Sequence, residues 1–417
     1  MRPAGTGVPC VGMTDAGRVV VVGAGLAGLR TAEELRALGH TGRITLIGAE
    51  PRPPYDRPPL SKKVLTEAGP PADPLDPSLR ADFAALDVDF HPDEAAAALD
   101  IADGPARRGA LVTSRDKYPF DHVVLATGAL PVRLDGDGPQ RFLRSYDDAL
   151  ALRALFRRGL RLTIVGAGWI GAELATAAVG HGCQVTVVEA GPAPLASAVG
   201  APVGAQTARW YAAAGVELRV GVAVESVRSG GLVLADGDQI AADEIVTAVG
   251  VRPATRWLEG SGIRLDNGVA VDAGLRASLP GVYAVGDCAA FESLRFGRRL
   301  RFEHWDVALH APEVVAANIL GGAAVYDPVP YFWSEQFGRM VQYAGYHGDA
   351  ERLLWRGDPA APTWAACWLA SGRLVAILTV NRPRDLVQAR RLIASGLPVD
   401  PARLTDPAVP IKDAAAA

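Results

Sequence analysis

Two stretches of the chain repeat one order of apolar and glycine positions, and the first lies near the N-terminus. Val19–Val22 is a short, β-branched apolar run, which predicts a strand buried on both faces. Gly23–Gly28 (GAGLAG) follows at once with the spacing G-x-G-x-x-G. Apolar residues then recur at helical spacing from Leu26 to Leu38, and Arg43–Ile47 predicts the next strand. The pattern therefore predicts a strand–helix–strand unit.

Each part of this unit has a use in binding a dinucleotide. Gly23 allows a tight turn, Gly25 lets the backbone approach a pyrophosphate, and Gly28 lets the helix pack on the strand. The helix N-terminus faces the phosphates, and Glu50, just past the second strand, can accept hydrogen bonds from ribose hydroxyls. A glycine pattern alone would indicate only a turn, but the complete unit predicts a dinucleotide site.

The same pattern returns in the middle of the chain. Leu160–Val165 predicts a strand, Gly166–Gly171 repeats the glycine spacing, Glu173–Val179 predicts a helix, and Gln184–Val188 is followed by Glu189. A carboxylate at that place accepts hydrogen bonds from two ribose hydroxyls and repels a 2′-phosphate. No Lys or Arg occurs from 190 to 208 to neutralise such a phosphate. We therefore expect an internal duplication with a second site that takes NADH rather than NADPH, although Glu189 could be only a solvated strand end.

Three more predicted strands end at glycines that can present bare backbone to a ligand. They are the strand Asp121–Thr127 before Gly128, the run Glu244–Gly250, and residues 281–287, which close on Gly286 and Asp287. An acid at 287 can accept hydrogen bonds from a polyol such as the ribityl chain of a flavin. The alternative role is a helix N-cap, and both roles are compatible.

The rest of the chain predicts loops, one long helix and a separate C-terminal domain. The proline-rich run from residue 51 predicts an extended loop at the carboxyl end of the first sheet, and a short helix is expected to begin near Lys62 and Lys63. Arg57 or Lys62 could touch a cofactor there. Arg301–Leu320 predicts a helix, short aromatic-rich strands follow residue 323, and Arg384–Ala394 predicts the last helix. The predicted fold class is α/β, with two Rossmann-like dinucleotide-binding domains and a C-terminal α+β domain. We predict a first dinucleotide domain at 15–126 and 253–322, a second at 127–252, and the C-terminal domain at 323–417.

Composition agrees with an ordinary globular protein of two or three domains. The chain has 417 residues, 49% hydrophobic and 21% charged, with a net charge of −4. This charge gives no reason to expect nucleic acid or an anionic membrane as a partner, and no apolar run approaches the roughly 20 residues of a membrane span.

The N-terminal segment and the cysteines bear on the location of the protein and on its chemistry. Residues 1–14 lack the apolar core of a signal peptide and are predicted to be a disordered leader, so we expect a cytoplasmic protein. The four cysteines form no close pair, which argues against a disulphide framework and a metal site.

Five short motifs give the chain a family resemblance. The order of the two glycine loops, Ala126-Thr127-Gly128 and Gly286-Asp287 resembles the two-dinucleotide-domain flavoproteins related to glutathione reductase. Within them, the chain is similar to the ferredoxin reductases that serve oxygenases and P450s. The motifs are YDRPPLSK (Tyr55–Lys62), LRSYDDA (Leu143–Ala149), VGDCA (Val285–Ala289), FWSEQF (Phe332–Phe337) and TVNRP (Thr379–Pro383).

This resemblance implies non-covalently bound FAD in the first domain and NADH in the second. It also implies that Lys62 and Glu173 form an ion pair close to flavin N5. Ala96 stands where relatives often have a larger residue against adenine, so that pocket can differ here. The FAD residues implied are Gly23, Gly25, Leu26, Ala27, Gly28, Glu50, Arg57, Lys62, Ala96, Ala126, Thr127, Gly128, Arg144, Gly286, Asp287, Trp305 and Trp333. The NAD residues implied are Gly166, Gly168, Trp169, Ile170, Gly171, Glu173, Glu189, Val249 and Gly250.

The resemblance and the cysteine pattern together imply a mechanism. Disulphide reductases of this fold carry redox cysteines after the first βαβ unit, but residues 29–125 contain no cysteine. A hydride would therefore pass from NADH to flavin N5, and single electrons would leave for a [2Fe–2S] or similar acidic ferredoxin that feeds a P450 or oxygenase. Candidate docking residues are Arg295, Arg298, Arg299, Arg301, Arg382 and Arg384. The alternatives are an NADH oxidase and an NADH-binding redox-sensing flavoprotein.

Overall fold

The computed structural model describes residues 15–66, 79, 81–101 and 109–416. The predicted leader, residues 1–14, lies outside the described residues. The described chain forms two compact units: the first holds residues up to 56, those between 78 and 129, and 253–327, and the second holds the rest. The three-domain division drawn from the sequence stays a prediction.

The first unit is organised around a five-stranded parallel sheet. All four residues of its central strand are buried, as expected for a strand with both faces covered. Its strands are β1 (Val19–Val22), β2 (Ile44–Ile47), β3 (Val88–His91), β4 (Ala96–Ile101), β5 (Gly109–Thr113), β6 (Lys117–Phe120), β7 (His122–Leu125), β17 (Val269–Val271), β18 (Val282–Ala284), β19 (Ala289–Ser293) and β20 (Arg298–Leu300). The main sheet has the order β18-β7-β1-β2-β3, while β4-β5-β6 and β17-β19-β20 form two smaller sheets.

Two long helices cover this sheet. Helix α1 (Leu26–Ala37) starts directly after the first glycine loop and buries Leu29, Ala32 and Leu35. It packs against α7 (Trp305–Ile319). The helix predicted over Arg301–Leu320 therefore begins four residues late. His304 has extended backbone angles (φ −109°, ψ 138°) and is the N-cap, and Arg301 is tied to Asp287 and Glu303, so the first predicted turn is not helical.

The second unit holds the repeated βαβ pattern and the C-terminal part of the chain. Its strands are β9 (Arg161–Val165), β10 (Gln184–Glu189), β11 (Glu217–Val220), β12 (Val224–Arg228), β13 (Gly231–Leu234), β14 (Gln239–Ala241), β15 (Glu244–Thr247), β21 (Tyr331–Gln336), β22 (Arg339–Gly345), β23 (Arg352–Arg356), β24 (Trp364–Ala370) and β25 (Arg373–Val380). Its helices are α2 (Lys63–Thr66), α3 (Tyr146–Leu155), α4 (Trp169–Gly180), α5 (Ala196–Val199), α6 (Ala201–Ala213), α8 (Pro383–Ser395) and α9 (Pro401–Thr405). Short strands β8 (Ala129–Pro131) and β16 (Val251–Pro253) lie where the chain passes between the units.

The second parallel sheet has the order β11-β10-β9-β15, and the C-terminal sheet has the antiparallel order β21-β22-β25-β24-β23. Helix α4 is rich in alanine because it is buried almost throughout against β9 and β10. Helix α8 buries Leu386, Ala389, Leu392 and Ile393 in the core that it shares with the C-terminal sheet. The predicted fold class is thus confirmed.

The proline-rich loop is more ordered than an extended segment. A 3₁₀ turn spans Pro58–Ser61, and α2 begins at Lys63. Proline is compatible with the first turn of a helix, because its fixed φ suits that turn and the missing N–H has no partner there anyway. The extended loop predicted before Lys62 therefore contains a 3₁₀ turn, whereas the short helix expected near Lys62 and Lys63 is present as α2. Among the described residues, no helix offers an apolar stretch long enough to cross a bilayer.

Candidate functional site

The first glycine loop has the geometry of a phosphate cradle. Gly23 has φ +113°, and a Cβ atom there would lie 2.2 Å from the Ala126 carbonyl oxygen. A Cβ at Gly28 would lie 1.9 Å from the Gly23 oxygen, whereas one at Gly25 would meet no atom within 4 Å. Gly25 is the N-cap of helix α1 and no side chain caps this helix, so its first N–H groups point toward that open side. This geometry fits the pyrophosphate of a dinucleotide.

The carboxyl edge of the same sheet brings further predicted residues to this cradle. Tyr55 donates a hydrogen bond to the Glu50 carboxylate (2.5 Å), which fixes the acid past the end of β2. Gly286 has φ +70°, and a Cβ there would lie 3.1 Å from the Ala27 Cβ. The Gly286 backbone therefore lies close to the start of α1. Thr127 donates its hydroxyl to the Ala254 oxygen (2.8 Å), which holds the turn at Gly128.

The start of α7 adds aromatic and titratable groups to the first unit. The Trp305 indole N–H donates to the Asp56 carboxylate (2.9 Å), so the YDRPPLSK segment orients this ring. His304 stacks on Phe302 with ring centres 5.1 Å apart. Burial lowers the pKa of His304 to about 4, while Asp287 opposes that shift. The imidazole is therefore neutral at physiological pH.

The second glycine loop has the same steric relationships as the first at its three glycines. Gly166 has φ +102°, and a Cβ there would lie 2.4 Å from the Ala248 oxygen. A Cβ at Gly171 would lie 1.9 Å from the Gly166 oxygen, and one at Gly168 would meet nothing within 4 Å. Helix α4 also begins without a side-chain cap. The apolar side chains of Ile170 and Val249 are 42% and 39% exposed, which suits residues that line an open ligand cleft.

Glu189 supports this second loop directly. One carboxylate oxygen accepts the Ala167 N–H (2.7 Å), and the other accepts the Gly191 N–H (2.7 Å). The sequence predicted a ribose ligand at this position but not the bond to the glycine loop. Both functions are compatible, because each carboxylate oxygen has a second lone pair.

A partly buried ion pair in the second unit joins two residues that are far apart in the sequence. Lys62 Nζ lies 2.9 Å from Glu173 Oε2, and the exposed fractions of the two side chains are 17% and 3%. Ser61 also donates to Oε2, while the Ser334 hydroxyl (2.6 Å) and the Glu335 N–H (3.2 Å) donate to Oε1. The predicted Lys62–Glu173 pair is therefore present. Its location beside flavin N5 stays a prediction.

The remaining predicted residues are divided between the units. In the second unit, Lys62 lies 6.0 Å from the Trp333 ring centre, and Arg57 donates to the Arg144 backbone oxygen. Gly250 has φ +103°. In the first unit, Ala96 begins β4 and is partly exposed. Sequence reasoning missed three contacting residues, Asp56, Ser61 and Ser334, although each lies inside a recognised motif.

The chain matches known families over nearly its whole length. Residues 17–311 match the family described as pyridine nucleotide-disulphide oxidoreductase, and residues 331–415 match the one described as reductase C-terminal. The chain is 37% identical to the ferredoxin–NAD(+) reductase component of the anthranilate 1,2-dioxygenase system of Burkholderia cepacia, over 94% of this chain and 98% of that one.

Two solved structures are similar throughout. The crystal structure of Fdr9 is matched with a TM-score of 0.89 and 46% identity, over 95% of this chain and 99% of that one. The covalent putidaredoxin reductase–putidaredoxin complex is matched with a TM-score of 0.89 and 30% identity, over 96% and 98% of the two chains.

Proposed function

The chain belongs to the pyridine nucleotide-disulphide oxidoreductase family, and on this premise we propose that it is an FAD-dependent NADH:ferredoxin reductase serving an oxygenase or a P450. Bound FAD supplies the hydride acceptor and the donor of single electrons. The protein contributes binding, orientation and fixed charges. A cytoplasmic location, expected from the sequence, belongs to the same proposal.

One observation carries the choice of a ferredoxin reductase over a disulphide reductase. Residues 29–125 contain no cysteine, and Ser61 and Lys62 in that segment bond to Glu173 instead. The cysteines among the described residues are Cys183, Cys288 and Cys367, all of them buried free thiols. Burial raises the pKa of each, to about 12 for Cys367, so none favours the thiolate form. Electrons then have no dithiol to pass through among these residues.

The Lys62–Glu173 pair supplies a positioned positive charge in this proposal. Glu173 is enclosed by its four donors, whereas Lys62 keeps 17% of its side chain exposed. The carboxylate therefore holds the ammonium group in place, and the ammonium group is the partner that can face a ligand. We place it at the N5 edge of the flavin, where a cation favours the electron-rich reduced form.

The nicotinamide cofactor is assigned to the second glycine loop. The open face at Gly168, the uncapped start of α4 and the carboxylate of Glu189 support binding of a dinucleotide with a free ribose 2′-hydroxyl. Trp169 and Ile170 are the first residues of that helix and complete the proposed NADH site.

Surface arginines are the proposed docking groups for an acidic ferredoxin. Arg295, Arg298 and Arg384 are exposed. Arg299, Arg301 and Arg382 are less exposed and pair with Glu292, Glu303 and Asp385, respectively. Because an exposed guanidinium is accessible to an acidic partner at the surface, we expect Arg295, Arg298 and Arg384 to contribute most to docking.

Stopped-flow reduction tests the whole proposal. The purified flavoprotein is mixed with NADH or NADPH under nitrogen, and the reduced protein is then mixed with oxidised [2Fe–2S] ferredoxins or with air. We expect faster reduction by NADH, fast reoxidation by at least one acidic ferredoxin, and slow reoxidation by oxygen. Fast reoxidation by air alone would identify an NADH oxidase. A long-lived NADH charge-transfer complex that no ferredoxin discharges would identify a redox sensor.

Charge reversal tests the docking residues. We expect Arg295→Glu with Arg298→Glu, or Arg384→Glu, to slow cytochrome c reduction through ferredoxin while NADH–ferricyanide activity is unchanged. The matched control is Arg161→Glu, an arginine paired with Asp243 in the second parallel sheet. Equal effects of the control and the test variants would remove these arginines from the docking site.

A further inference from the structure

The loop that carries Glu50 is held by a neighbouring loop. Gly48 N–H donates to the His91 oxygen (2.9 Å), Glu94 N–H donates to the Gly48 oxygen (2.8 Å), and Asp93 N–H donates to the Glu50 oxygen (3.0 Å). These three backbone bonds join the chain after β2 to the chain after β3. The position of the Glu50 backbone therefore depends on where residues 91–94 lie.

Residues 91–94 are in turn fixed by one buried carboxylate. Glu94 is 3% exposed, and it accepts hydrogen bonds from the hydroxyls of Thr113 and Tyr118 (3.1 Å for Tyr118). Tyr118 also shares a hydrogen bond with His91 Nδ1 (3.1 Å), whose ring lies edge-on to the tyrosine. Burial and the hydrogen bond to Glu94 raise the pKa of Tyr118 to about 12, so the hydroxyl remains a donor. The end of β5, the start of β6 and the end of β3 thus meet at Glu94.

The Glu94 carboxylate is buried and its hydrogen bonds come from neutral hydroxyls. Its burial therefore costs free energy that an apolar residue at this position would avoid. Strand β4 begins two residues after Glu94, at Ala96, and the family resemblance implies that Ala96 lies against adenine. Its pairing with β5 has an irregular register between Ala96 and Ala98, so the ladder alone does not fix this strand end. A local anchor is needed there, and Glu94 supplies one.

We propose that Glu94, through Tyr118 and Thr113, is a positioning residue for the adenosine half of the FAD site. It sets the backbone of Glu50 at the ribose and the start of β4 at the adenine. The inference rests on FAD occupying the first glycine loop. It is independent of which electron acceptor the protein serves, because its test measures flavin affinity.

The test compares two flavins that differ in the adenosine half. Flavin-free protein is titrated with FAD and with FMN, and binding is followed by flavin fluorescence. Methionine matches the shape of glutamate without accepting these hydrogen bonds. We expect Glu94→Met to weaken FAD binding about tenfold, because hydrogen bonds to a charged group are lost, and to leave FMN binding unchanged. Glu94→Gln keeps an acceptor and should restore most of the affinity.

The control is Asp93→Asn, which changes the adjacent exposed carboxylate, paired with Arg115 at the surface, and should alter neither affinity. Equal weakening of FAD and FMN by Glu94→Met would mean a general loss of structure and would overturn the proposal, as would unchanged FAD binding. If that variant does not fold, Tyr118→Phe removes one bond to the carboxylate. An unchanged ratio of FAD to FMN affinity in Tyr118→Phe would then refute the positioning role.

Discussion

Lys62 Nζ lies 2.9 Å from Glu173 Oε2, although 111 positions separate the two residues in the chain. The pair joins the proline-rich segment to the helix that follows the second glycine loop. Glu173 is the more deeply buried partner. Once the lysine is removed, the remaining hydrogen-bond donors to Glu173 are neutral. Removal of Lys62 and removal of Glu173 should therefore have different effects on stability.

Removal of the lysine should therefore cost more stability than removal of the acid. We expect Lys62→Met to lower the free energy of unfolding by about 3–5 kcal/mol, because it leaves a buried carboxylate without a counter-ion. Glu173→Gln should cost less, since the partly exposed ammonium group can be hydrated. The double variant should recover part of the loss in a double-mutant cycle by urea unfolding. Additive effects would show that the pair has no coupling energy.

Glu189 should determine both coenzyme preference and loop order. We expect Glu189→Gln to lower kcat/KM for NADH at least tenfold while changing NADPH less, because charged hydrogen bonds to the ribose are lost and repulsion of a 2′-phosphate is relieved. The measurement is steady-state ferricyanide reduction with both coenzymes. Glu217→Gln, on the neighbouring strand and directed to the surface, is the control. An unchanged ratio of kcat/KM for NADH to kcat/KM for NADPH would exclude Glu189 from the ribose site.

Alanine substitutions at two glycines of the second loop should have different effects, one on NADH binding and the other on stability. A methyl group at Gly168 meets no protein atom within 4 Å, whereas one at Gly171 lies 1.9 Å from the Gly166 oxygen. We expect Gly168→Ala to leave urea unfolding unchanged but raise the NADH KM, since the methyl group enters the space of the pyrophosphate. Gly171→Ala should destabilise the protein itself. Equal stability of the two variants would contradict this geometry.

The sequence predicted the duplicated units well because their signals are local. Strand, glycine loop and helix lie within 30 consecutive residues, and the steric need for Gly23 and Gly28 arises inside the same motif. The Lys62–Glu173 pair, 111 positions apart, was expected from the family resemblance, whereas no local pattern signals the contacts of Ser61 and Ser334 with Glu173 across 112 and 161 positions. The start of α7 was misplaced because it depends on the contact of Arg301 with the Asp287 backbone, which no periodicity records.

Stability should fall in mildly acidic solution because of His304. Its pKa is about 4 in the folded protein and near 6.5 in an unfolded chain, so the unfolded state binds the additional proton between these values. The free energy of unfolding should therefore decrease as the pH falls from about 6.5 to about 4. Burial also lowers the pKa of His347, with the same sign. Urea unfolding at several pH values gives the slope of the free energy of unfolding against pH for the parent and for His304→Asn. The difference between the two slopes is the contribution of His304. Identical slopes would refute this prediction.

Arg356 should stabilise the end of the chain without affecting electron transfer. Its guanidinium is 1% exposed and donates to the Asp385 carboxylate and to the backbone oxygens of Leu404, Asp406 and Val409. Methionine would leave three carbonyls without this donor, so we expect Arg356→Met to cost about 3–5 kcal/mol. Hydrogen exchange should accelerate first over residues 401–414, while flavin reduction by NADH stays at the parent rate.

Two further variants serve as controls. Lysine cannot reproduce the planar fork of the guanidinium, so the effect of Arg356→Lys should be intermediate. Arg352→Met, at the exposed end of the same strand, should change neither measurement. Exchange that accelerates uniformly across the protein would show that Arg356 contributes to global stability and does not act as a local clamp.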